Sequence, residues 1–130
     1  MGTNSQSQAG IIWLKIALIY LLVGIGIGIG MGAKQNFALA PVHAHVNLLG
    51  WATMALAGLI YSVYPHAAQT TLAKLHFWLI NLALPVMLIA LSCVMLGMLQ
   101  AAPVLAIAEI FVAAGVLAFA ANVFLNLKKA

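Results

Sequence analysis

The chain has 130 residues, 66% of them hydrophobic and only 5% charged. No soluble domain of this size can bury so much apolar side chain, and near-continuous apolar runs of this kind mean membrane spans. Five lysines against one acidic residue, Glu109, leave a net charge of +4. The lysines are scattered at segment ends and form no patch with aromatics, which excludes a nucleic-acid surface and makes them headgroup and topology anchors.

Cys93 is the single cysteine and falls inside an apolar run. It excludes a disulfide framework and a cysteine-based zinc or iron–sulfur site. The start TNSQSQ is polar and uncharged, and the apolar run after it is too long for a signal-peptide core, so no cleaved signal is expected. A myristoylation signal fails because Gln6 stands where Ser or Thr is required.

The first expected span covers residues 10–32 and ends in GIGIGIGMG. Small residues let membrane helices approach closely. Gly24, Gly28 and Gly32 share one face and Gly26 and Gly30 lie nearly opposite, which predicts a helix wedged between neighbours on both sides. After a short loop with Lys34 and Asn36, Pro41 suits the first turn of a second span over 41–64. A third span is expected over 75–99 with Pro85 as a kink, and a fourth over 103–127, opened by Pro103 and closed by Lys128 and Lys129. The expected architecture is all-α, an integral membrane four-helix bundle running up-down-up-down. Placing both termini in the cytoplasm puts Lys15, Lys74, Lys128 and Lys129 inside and only Lys34 outside, as the positive-inside rule asks.

The second span, PVHAHVNLLGWATMALAGLIYSVYP, carries His43 and His45 about one turn inside its outer end. An intramembrane ionisable residue is a functional-site hypothesis by default. Successive helix residues turn by about 100°, so the two imidazoles point roughly 200° apart and serve different flanks. They cannot clamp one planar cofactor or easily share one metal. His66 and His76 stand roughly 30 Å away at the other end of the span and cannot complete either site. A methionine ligand (Met54, Met87, Met95 or Met98) is conceivable, but methionine in such helices is usually packing. A six-coordinate site therefore needs a second copy of the chain. On spacing alone, cofactor ligation and hydrogen bonding to a neighbouring helix both stay open.

The stretch HAHVNLLGWATMALAGLIYSVYP resembles the tenth helix of subunit I of heme–copper oxidases, most closely the cbb3-type cytochrome c oxidases. That pattern is His-x-His, then Leu-Gly-Trp, then an apolar run to an aromatic and Pro. Here it is met by His43, His45, Leu49-Gly50-Trp51 and Tyr64-Pro65. His76-Phe77-Trp78-Leu79 stands where the next helix of that family begins with His-Phe-Trp-Leu. The likeness covers about residues 41–95.

The resemblance implies that His43 ligates one heme and His45 another, on opposite flanks. It also implies a chain corresponding to one of three four-helix arcs. Four helices instead of about twelve suggest a homotrimer, with a noncovalent heme b at each interface held by His43 of one copy and His45 of the next. No Cys-x-x-Cys-His is present for covalent attachment. The chain has no histidine cluster for copper, so heme–copper oxygen reduction is not supported. The expected role is electron transfer in a bacterial inner membrane, between a quinol or cytochrome partner and an outer-face acceptor. A five-coordinate heme reductase or sensor for oxygen or nitric oxide, and an oxidase assembly or heme-handling partner, are the alternatives, and enzyme status stays open.

Other polar residues are read as support. Asn47, one turn from His43, is placed to bond a heme edge or a ligand ring nitrogen, or to pack between helices. Lys34 is the cation proposed for a heme propionate. His76 is expected to face solvent or headgroups. Glu109, about two turns into the fourth span, is expected to be neutral and hydrogen-bonded, with a structural role favoured over proton relay or propionate support.

Overall fold

In lipid every backbone N–H and C=O must find a partner within the protein, so each long apolar run closes its hydrogen bonds as a helix. A computed structural model describes residues 6–127; Lys128, Lys129 and the first residues of the polar start lie outside that range. The helices are α1 (Gln6–Lys34), α2 (Ala40–Val63), α3 (Thr71–Met95) and α4 (Ala102–Asn126), all long and apolar enough to cross a membrane. Among the described residues there is no strand.

The helix boundaries follow local chemistry. Pro41 and Pro103 each stand in a first turn, where a missing N–H costs nothing. Thr70 is extended, and its Oγ1 accepts from the Ala73 amide at 3.0 Å, so α3 begins at Thr71, ahead of the expected residue 75. Its other end is closed by Gly97 at φ +91°. The Gly97 amide donates to Val94 O at 3.0 Å and that of Met98 to Cys93 O at 2.9 Å. This stop at Met95 comes before the expected residue 99, and a 3-10 turn, Leu99–Ala101, leads into α4.

Packing is strongest within two antiparallel hairpins, α1 with α2 and α3 with α4; α1 and α4 share no extended contact. Small residues set these approaches, as expected where lipid is as apolar as the protein interior. A Cβ on Gly58 would stand 2.9 Å from Leu14, and one on Gly115 would stand 2.9 Å from Ile80. The glycine run of α1 is used on one face only within the chain. Gly24 and Gly28 meet α2, whereas Gly26, Gly30 and Gly32 have no neighbour within 4 Å. The second wall expected against that helix is not supplied by the described residues.

Helix α2 is not uniform. Between α-helical stretches Ala40–His45 and Met54–Val63 lies a π-helical segment, Val46–Thr53, directly after His45. Such widened turns are rare and occur often at functional sites. Polar side chains accompany both ends. Asn47 Nδ2 donates to His43 O at 2.9 Å, and Thr53 Oγ1 donates to Leu48 O at 2.7 Å. These two bonds reach one carbonyl just before the altered ladder and one within it, which lipid could not do.

Candidate functional site

The two histidines fall on opposite flanks of α2. His43 lies against α1, its Cε1 3.0 Å from where a Gly28 Cβ would stand. Its Nδ1 is 2.9 Å from the carbonyl oxygen of Gly24. A carbonyl only accepts, so Nδ1 donates, and in the neutral ring Nε2 keeps its lone pair. Asn47 fills the next position on this flank, where a Cβ on Gly24 would stand 2.5 Å from its Oδ1. Its Nδ2 stands 3.3 Å from His43 Nδ1 and 3.4 Å from Nε2, both beyond the range of a strong bond.

His45 has the same arrangement by another route. Its Nδ1 donates to the carbonyl of Pro41, one turn back in its own helix, at 2.7 Å. Again Nε2 is left with its lone pair. This ring lines a groove of about 470 Å³ between α2 and the α3–α4 hairpin, with Leu49, Met87, Val112 and Val116 as apolar walls. Glu109 lines the same groove. Its side chain is exposed there and has no hydrogen-bond partner among the described residues, so the structural role expected for it has no contact to rest on.

Donation of one ring N–H to a fixed acceptor sets tautomer and ring orientation, and it is the usual company of a metal-ligating imidazole. A b-type heme asks for a neutral imidazole with a free nitrogen and an apolar slot, and His45 with its groove meets both requirements. His43 meets the first. His45 is the one histidine among the described residues that lines this groove. Met87 is in the groove but is packed into the core at 2% exposure. Among the described residues no three His, Cys, Asp or Glu side chains gather as a metal site.

Lys34 is not brought to either histidine. It is exposed at the end of α1 and lines a separate cavity of about 280 Å³ with Met31, Asn36, Leu39 and Leu96.

The most buried polar cluster lies at the other end, and sequence reasoning missed it. His76 is 1% exposed, in place of the solvent- or headgroup-facing ring expected. The early start of α3 carries it into the helix, on the buried stripe Ala73, His76, Ile80, Ala83 and Met87. Its ring is sandwiched between Trp13, at 4.4 Å between centroids, and Phe119, at 4.7 Å. Asn122, fully buried on α4, donates through Nδ2 to Ala67 O at 2.9 Å and to the Tyr61 hydroxyl at 3.4 Å. Tyr61 in turn lies 3.1 Å from His76 Nδ1, and Thr70 Oγ1 donates to Asn122 Oδ1 at 2.7 Å. All four helices meet in this cluster. His66 Nε2 donates to Asn126 O at 2.8 Å and closes the end of α4. The one legible signal was that Trp13, Tyr61, His76 and Asn122 all lie near the end of the bundle where the chain starts and finishes.

No family model matches the chain, nor does any curated protein or solved structure.

Proposed function

We propose that the chain is a membrane-bound b-type cytochrome, built on the plan of one arc of heme–copper oxidase subunit I, that holds heme through His43 and His45. The observation that carries this reading is the shared state of the two imidazoles. Each donates from Nδ1 to a backbone carbonyl, at 2.9 Å and 2.7 Å, and as a neutral ring keeps its Nε2 lone pair, on opposite flanks of one helix. Because neither flank offers a second imidazole within the chain, each heme lies between copies, His43 of one facing His45 of the next in a homotrimer. Bound there, heme supplies a one-electron centre, and two fixed axial ligands suit electron transfer. In this reading Asn47 steadies His43 through its bond to His43 O, and Lys34, which lines a separate cavity of its own chain, meets a propionate only of a heme at the interface with another copy. The bilayer is a bacterial inner membrane with both termini inside, and a quinol or cytochrome is the redox partner.

The test is purification in mild detergent with heme content, native mass and spectra. One heme per chain in a trimer, with bis-histidine bands lost in His43→Ala and in His45→Ala, is the expected result. A heme-free protein, or a spectrum indifferent to His45→Ala, rejects the reading. A five-coordinate reductase or gas sensor is the second reading, favoured by the lone imidazole in the His45 groove. Rapid, complete carbon monoxide binding to the reduced protein selects it over the six-coordinate cytochrome.

A further inference from the structure

Glu109 is the chain's single acidic residue, and it lines the groove that His45 enters. It stands seven residues beyond the start of α4 at Ala102, about 10 Å into the span. A carboxylate at that depth is expensive unless a positive charge or a set of donors meets it. Neither is found in the groove among the described residues. The groove contains no lysine. Lys34 lines the separate rim cavity, and Lys15 and Lys74 belong to the end of the bundle where the chain starts and finishes. The one nearby ring proton, on His45 Nδ1, is committed to Pro41 O.

The groove is thus lined by an imidazole whose Nδ1 is already committed and by an unmatched carboxyl group. We infer that Glu109 is the counter-charge of this pocket, a carboxylate that faces the cationic core of a ferric heme ligated by His45. The inference rests on the cytochrome reading and extends it from the ligands to the charge of the occupant. Protoporphyrin contributes two negative charges at its nitrogens and neutral imidazoles contribute none, so the core carries +1 with ferric and zero with ferrous iron. In a site screened by apolar walls, Leu49, Val112 and Val116 among them, a fixed carboxylate favours the ferric state. Glu109 is a tuning residue in this role, acting on the redox balance without ligating.

Midpoint potentials of the heme-loaded protein measure this, with wild type compared against Glu109→Gln and Glu109→Asp. Glutamine has the shape of a neutral carboxylic acid without the charge. The expected result is that Glu109→Gln shifts the reduction equilibrium toward ferrous by about tenfold or more, ~59 mV upward for one electron. Glu109→Asp, which keeps the charge, stays within a third of that shift. An unchanged potential in heme-replete Glu109→Gln overturns the inference while leaving the cytochrome reading intact. If Glu109→Gln holds no heme, binding of hemin and of zinc protoporphyrin, whose core is neutral, decides. Loss confined to hemin supports the counter-charge, and equal loss of both overturns it. A wild-type protein that binds no heme overturns the cytochrome reading and this inference together, and is recognised by an empty Soret region before any variant is made.

Discussion

His43 is held by the backbone of another helix, its Nδ1 donating to the Gly24 carbonyl at 2.9 Å. An α-helical carbonyl in a membrane is normally occupied by its own ladder, so this bond needs the two backbones close together. The glycines at 24 and 28 allow that approach. Ring and helix therefore form one unit, and the orientation of the imidazole depends on residues that carry no side chain.

Replacing Gly28 by Leu places side-chain atoms where the His43 ring now lies, since even a Cβ would stand 3.0 Å from Cε1. The expected outcome is hemin affinity at least about tenfold weaker, roughly 1.4 kcal/mol, read by hemin titration. Gly28→Ala, which adds the Cβ alone, should weaken binding less than Gly28→Leu.

Asn47→Ala removes the donor to His43 O at the start of the π-helical segment and opens space beside Gly24. A hydrogen bond of this kind contributes about 1 kcal/mol net. Hemin binding should weaken about fivefold with the visible bands kept in position, because the Gly24 carbonyl still holds the His43 ring through Nδ1. Loss of the bis-histidine bands in this variant would contradict a supporting role.

Tyr61→Phe leaves Asn122 and His76 Nδ1 without the hydroxyl that joins them. An orphaned buried polar group costs about 1–3 kcal/mol, and thermal unfolding in detergent should fall accordingly. His76→Ala should cost more, about 3–5 kcal/mol, because it also empties the slot between Trp13 and Phe119. In both variants the heme spectrum should stay unchanged, since this cluster lies at the far end of α2 from His43 and His45. A shifted spectrum in His76→Ala would instead tie the ring to the cofactor.

Thr70→Ala takes away two contacts at once, the cap on the Ala73 amide and the donor to Asn122 Oδ1. The loss should be about 1–2 kcal/mol in unfolding experiments, the usual worth of a helix cap. Thr70→Ser, which keeps the hydroxyl, should recover most of it.

Some of this organisation is legible in the chain itself. Four runs of apolar residues dictate four helices, because lipid offers the backbone no other partner. Pro41 and Pro103 mark where two of them begin. The placement of His43 and His45 on different flanks follows from helical rotation alone.

The tertiary structure decided which faces are inside. In a soluble helix a polar face and an apolar face announce the interior, but here lipid and core are equally apolar and no such contrast exists. Hydropathy therefore could not show that His76 turns inward beneath Trp13, or that Glu109 joins His45 in one groove. Nor could it show the π-helical turn after His45, which depends on how Gly50 seats against the Tyr20 ring and on where Asn47 and Thr53 find carbonyls. Composition and spacing determined that the histidines stand on two flanks of one helix long and apolar enough to cross a membrane. Only the approach of α1, through bare backbone at Gly24 and Gly28, decided which carbonyl accepts from His43 and which ring nitrogen is left over.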